Sequence, residues 1–291
     1  MKKAMEMLLN LLNQILTWIF SGVSDASRLL TVGSGTLLQN LPSVSPSLYS
    51  YTVSAQQAIL SVGYTLLGIF FLIELWNISK KVESFGGGPQ LGVEMIVGLL
   101  IKLTLCKLLM DNSMLIMEAL YDGLTQVTAK IAGLWTDSGS AAALDTEIVL
   151  SYLPASMFEL IPPFLLGLLT LLIVAVAALI SRILIWLRFI EIFLRIILSP
   201  IPLATLPSDE WGQVGKNFLK GFVAVCIQGT LIFLVLSFFP ALIGAYGQSA
   251  IDVDGPLALY SYFLQCCGMS ILLIIALFAT TRLANSICSA M

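Results

Sequence analysis

Histidine is missing from this 291-residue chain altogether, and aspartate, glutamate, lysine and arginine together make up only 11% of it. The first absence removes the side chain that most often serves as a general base near neutral pH and as a metal ligand. The second removes the polar coat that a soluble domain of this size needs. Cysteine is sparse as well. Cys106, Cys226, Cys266, Cys267 and Cys288 lie in or beside apolar runs, with neither the spacing of a metal site nor an imidazole to form a thiolate. They read as small buried hydrophobes; the vicinal pair Cys266 and Cys267 also admits a redox role, although adjacent helical positions point apart. No nucleophile meets a base and no metal-ligand cluster assembles along the chain, so it reads as a non-enzymatic protein without cofactor or metal.

What the chain has in abundance is apolar sequence: 58% of it is hydrophobic, with a mean hydropathy of +0.97. In a bilayer the backbone polar groups must be satisfied within the segment, so runs of this kind predict an all-α, polytopic transmembrane protein. The net charge of −3 is uninformative, because orientation follows the distribution of Lys and Arg between loops.

Residues 1–52 read as an amino-terminal amphipathic helix and an extracellular connection. Glu6, Asn10, Asn13, Thr17 and Ser21 form a polar stripe opposite Met5, Leu8, Leu9, Leu12, Leu16 and Ile19, which suits a helix lying in the interface with Trp18 at headgroup depth. The competing reading is a cleaved signal sequence or a further span with Lys2 and Lys3 inside. Residues 53–110 read as a first transmembrane hairpin: a span from Val53 to Trp76 closed by Lys80 and Lys81 on the cytoplasmic side, a glycine-rich linker, and a returning span from Leu91 to Met110. Within that second span Lys102 falls near mid-depth, where a charge costs about 2.5 to 3.5 kcal/mol and calls for a carboxylate, backbone carbonyls or water.

Residues 111–160 form an extracellular region, with acids from Asp111 to Glu159 set against the single Lys130 and a helical pattern over Met114 to Trp135. Residues 161–291 hold a long helix from Ile161 to Leu198, a proline-rich break, and a last hairpin of spans over Gly221 to Phe239 and Leu257 to Thr281. About five spans result, amino end out and carboxyl end in.

The long helix is uncharged from Phe164 to Ser181 and then carries Arg182, Arg188, Glu191 and Arg195 among aliphatics. Arg188, Glu191 and Arg195 share a face at spacings of three and four. Two readings stand: an interfacial helix whose arginines meet lipid phosphates, or a helix packed against copies of itself with the charged stripe lining a passage, where Arg would suit a passing nucleic acid. The helix then stops at Ser199, Pro200 and Pro202, passes Pro207, and restarts behind Ser208 as a cap, with Asp209 and Glu210 in the first turn and Trp211 as anchor.

A long aliphatic helix, a small residue before proline, an aliphatic run to a second Leu-Pro, and a polar turn into Trp and a basic helix start resembles the VirB6/TrbL family of bacterial type IV secretion systems. Here that stretch runs from Ile196 to Lys220, through Ser199-Pro200-Ile201-Pro202 and Leu206-Pro207-Ser208-Asp209-Glu210-Trp211 to Lys216 and Lys220. Ser199 stands where the family usually has glycine, and Asp209 and Glu210 replace a more basic turn. The resemblance implies an oligomeric channel subunit in the cell membrane that contacts the secretion ATPases and other membrane subunits and helps DNA and protein reach a recipient. The residues themselves leave open a self-contained transporter or ion channel, and a pure scaffold. Five spans with one break do not show the paired broken helices of a repeat-built transporter.

Overall fold

The computed structural model describes residues 35–84, 89–138, 157–251 and 257–288, together with Gln14. Among them there is no strand, and the chain is an all-α polytopic membrane protein. The long elements are α1 (Pro46–Ser84), α2 (Pro89–Asp111), α3 (Ser113–Ser138), α4 (Met157–Leu198), α5 (Gly212–Ile251) and α6 (Leu257–Ile287), with short turns at Gly35–Leu38, Leu41–Val44 and Pro200–Leu203. Leucine, isoleucine and alanine dominate these runs, and in a hydrocarbon solvent only a helix pairs every internal N–H and C=O within its own segment.

Among the described residues four helices are long and apolar enough to cross a membrane: Pro46–Ser84, Phe164–Leu198, Gly212–Phe239 and Phe263–Ile287. The expected second span, Leu91 to Met110, forms within the 23-residue α2, which carries Glu94, Lys102 and Lys107. Several expected boundaries also move. Helix α1 begins at Pro46, before Val53; α5 starts at Gly212, past the restart expected behind Ser208, so that Asp209 and Glu210 lie outside its first turn, and it runs through Pro240, where the sequence suggested a stop; α6 continues past Arg282 to Ile287. The loop expected at Thr136 is still helical as far as Ser138. The amino-terminal amphipathic helix lies outside the described residues except for Gln14.

The chain divides into two compact units: residues 1–38, 127–186 and 229–281, and residues 39–126, 187–228 and 282–291. In the first, the core is aliphatic and aromatic, from Val174 and Ala177 on α4 to Phe263, Leu273 and Leu277 on α6, all buried. The buried Thr170 hydroxyl is accommodated by its own helix, donating to Leu166 O at 2.8 Å, and lies 3.2 Å from Cys267 Sγ. All five cysteines are free thiols, four of them buried, in keeping with their reading as small hydrophobes.

In the second unit, α1 packs along α2 and the start of α3. The hydrogen-bond ladder crosses the junction at Asn112, whose N–H donates to Leu108 O and whose carbonyl accepts from Ile116 N–H. Gln56 Nε2 donates to Ser113 Oγ at 2.7 Å, and the Tyr49 hydroxyl donates to Glu118 Oε2 at 3.2 Å. The buried core of this region is Leu67, Cys106, Met110, Leu203 and Ala204, so the proline break itself supplies part of it.

Candidate functional site

Two polar places stand out in the second unit, and both lie on elements that the sequence singled out. The first is the break after α4. Pro200 and Pro202 bring no N–H, so the α4 ladder ends with Ser199, whose N–H and hydroxyl both donate to Ile196 O at 3.2 and 2.8 Å. Beyond it, Ala204, Thr205, Leu206 and Ser208 each donate backbone N–H to a carbonyl three or four residues earlier. The Thr205 hydroxyl donates to Pro202 O at 2.8 Å and accepts the Gly215 N–H at 3.1 Å. Ser208 closes the turn ahead of α5 rather than capping a helix that holds Asp209 and Glu210 in its first turn: its Oγ accepts from Trp211 N–H at 3.3 Å and its carbonyl from Gly212 N–H at 2.9 Å, and α5 begins only at Gly212. The break is therefore a hydrogen-bonded structure in its own right, with Ser199, Pro200 and Pro207 buried and Pro202 partly so.

This structure sits against the flanks of α1 and α2. A Cβ on Gly63 would come within 3.0 Å of Pro200 Cβ, and Cys106 Sγ donates to Leu203 O at 3.0 Å. At its far end, Asp209 gathers the charges. Lys102 Nζ lies 3.0 Å from Asp209 Oδ1, Lys81 Nζ lies 3.6 Å from Oδ2, and the Asp209 N–H donates to Glu74 Oε2 at 3.4 Å. Glu74 is buried, while Lys102 and Asp209 are half exposed. The hydrogen bond from Lys102 holds the Asp209 carboxyl below its usual range, against partial burial and with help from the Lys81 charge. Trp211 is half exposed and meets Phe70 at 6.2 Å between ring centroids.

Lys102 thus has the carboxylate that its position demands, but from the break rather than from a neighbouring span. Sequence reasoning named Lys102 and the break separately and missed their union, together with Glu74 and Lys81. The positions are 107 residues apart, and the one available signal was a lone cation inside an apolar run.

The second place is the charged face of α4. Arg188 is buried, at 2% exposure, with Nη1 donating to Gln228 Oε1 at 3.2 Å and standing 3.8 Å from Glu191 Oε2. Glu191 is committed to Arg195, whose Nη2 and Nε donate to Oε1 at 2.9 and 3.3 Å. The stripe expected to face water is therefore split: Glu191 and Arg195 are partly exposed, and Arg188 is turned into the protein. Ile185 and Phe193 on the same helix, which packing against copies of itself would place at the contact, are buried. On α3, burial pushes the Tyr121 phenol up to about 12, and its hydroxyl donates to Gln39 O at 2.9 Å.

No family model, curated protein or solved structure matches this chain. Its chemistry therefore rests on these two places, neither of which offers a nucleophile beside a base. Among the described residues no three His, Cys, Asp or Glu side chains gather to hold a metal ion. What the arrangement can do is hold a broken helix in register against a hairpin, and present a partly exposed arginine to an anion.

Proposed function

We propose that this chain is a multi-pass, non-enzymatic channel or scaffold subunit of a bacterial conjugative type IV secretion machine, in the manner of VirB6/TrbL proteins. In this reading it sits in the cell membrane, associates with copies of itself, other membrane subunits and the secretion ATPases, and assists the passage of DNA and protein. The observation that supports the reading is the construction of the stretch that carries the resemblance. From Ser199 to Trp211 it is internally hydrogen-bonded, seated on Gly63 and Cys106, and tied by Asp209 to Lys102 and Lys81. A sequence that merely ended one helix and began another would need no such seat.

The test is transfer from a donor cell in which the gene is deleted and complemented. Loss of transfer on deletion, restored by the parental gene and impaired by Asp209→Arg at normal protein levels, is the expected result; undiminished transfer from the deletion strain would remove the proposal. A second reading, a self-contained transporter or ion channel, is favoured by the buried Glu74 and paired Lys102 beside a broken helix. Purified protein alone in liposomes would pass ions under the second reading and stay silent under the first.

A further inference from the structure

Arg188 is a buried cation, at 2% exposure, on a helix apolar enough to cross a membrane. A buried guanidinium carries five N–H donors, and two of its nitrogens, Nε and Nη2, donate to no acceptor in the protein. Leaving such groups unmet inside a protein is strongly unfavourable unless another charge or acceptor can reach them. The carboxylate paired with it among the described residues is Glu191, whose Oε2 stands 3.8 Å from Arg188 Nη1 while Oε1 takes both hydrogen bonds from Arg195. Glu191 is therefore shared between a buried arginine with unmet donors and an arginine at the surface.

Arg195 is 30% exposed and Glu191 40% exposed, so an anion from outside can reach the pair. Its surroundings indicate which kind. Leu194 and Leu198, on either side of Arg195 in the chain, are exposed aliphatics at the end of a helix apolar enough to cross a membrane. Across from it, Arg195 Nη1 lies over Gly221 on α5, and the preceding residue, Lys220, is exposed. Exposed aliphatics beside a cation at the end of an apolar helix is the pattern of a headgroup boundary, where guanidinium pairs with phosphate.

We propose that Arg195 takes the phosphate of an anionic lipid headgroup, and that Glu191 moves to Arg188 as it does so. The exchange satisfies donors on Arg188 that are otherwise unmet, which offsets the loss of the Glu191 to Arg195 pair. The site needs only the membrane character of the chain and stands apart from the secretion reading.

The experiment uses the full chain, purified in mild detergent, with phosphatidylglycerol retention read by native mass spectrometry against phosphatidylcholine. Arg195→Gln is expected to abolish selective retention, and Glu191→Gln to tighten it by freeing Arg195. Arg188→Met is expected to weaken retention about tenfold, the scale of one rearranged charge pair. In a Glu191→Gln background the same Arg188→Met change is expected to add nothing, because no carboxylate is left to move. Melting temperatures within the wild-type range identify folded variants; Arg188→Gln, which removes the cation but keeps a hydrogen-bonding side chain beside Gln228, replaces Arg188→Met if the latter melts early. Unchanged retention in Arg195→Gln would overturn the site, and an additive effect of Arg188→Met in both backgrounds would overturn the exchange. Competition by a single-stranded oligonucleotide or by inorganic phosphate, without any preference for phosphatidylglycerol over phosphatidylcholine, would overturn the lipid as ligand.

Discussion

A Cβ built on Gly63 would stand 2.8 Å from Met110 Cε and 3.2 Å from the Pro200 carbonyl oxygen, whereas one on Gly68, five residues along the same helix, meets nothing within 4 Å. The two glycines are indistinguishable by helical propensity and opposite in consequence. Gly68→Ala is expected to stabilise the protein by up to about 1 kcal/mol through propensity alone. Gly63→Ala is expected to destabilise it by about 1 to 3 kcal/mol, because the break must give way; thermal melts of the two variants in one detergent compare them directly. Asp209 supplies a pH test. Its carboxyl is held below the usual range by Lys102, so its contribution is complete above the ordinary carboxyl range and is lost as pH falls through the lowered folded value. Melting curves of the parent and Asp209→Asn are expected to differ near pH 7 and converge in acid. The group is half exposed, so the difference is small in water. Tyr121 behaves with the opposite sense. Burial lifts its phenol to about 12, so its contribution is intact below pH 10 and disappears as pH rises through 12, which ultraviolet titration of the phenolate would follow.

Helix α4 shows how the same pattern of residues can be apportioned differently from what periodicity suggests. It is one 42-residue helix, about 63 Å long, and its exposed aliphatics Leu165, Leu172, Leu179, Ile183, Leu187 and Leu194 follow one side from end to end. That stripe, extended to Leu198, covers about 50 Å, more than a hydrocarbon core of about 30 Å can cover even at a tilt of about 40°. Some of it needs a protein surface, which agrees with association between copies. The corrected expectation is that single cysteines at Ile183 and Leu187 crosslink between copies in native membranes, while cysteines at the buried Ile185 and Phe193 do not. Crosslinking confined to the buried pair, or absent along the whole stripe from Leu165 to Leu194, would count against self-association through α4.

At the scale of the whole molecule, the open matter is how α2 is used. Its length suits a span, and Glu94, Lys102 and Lys107 lie along it. Lys102 is no longer an isolated charge, because Asp209 accompanies it, and a neutralised pair is far cheaper in a bilayer than a lone ammonium. The five-span arrangement therefore remains the expectation: reporter fusions after Gly87, Gly139 and Met291 should report inside, outside and inside. Fusions after Gly87 and Gly139 that report the same side would show that α2 does not cross.

The sequence by itself determined the solvent and the secondary structure of this protein. Composition requires a bilayer, long continuous apolar runs in a bilayer require helices, and the prolines at 200, 202 and 207 require a break between α4 and α5, with Ser208 in its closing turn. These are local or averaged properties, read from neighbours along the chain. Tertiary structure decided what each polar residue is for. Lys102 pairs with a carboxylate 107 residues away, Arg188 turns inward toward Gln228 while Arg195 on the same face stays at the surface, and Ile185 and Phe193 belong to the interior rather than to a contact between copies. Helical spacing tells which residues share a face, but the partner of that face is set by packing between segments distant in sequence, and no periodicity within one segment encodes it.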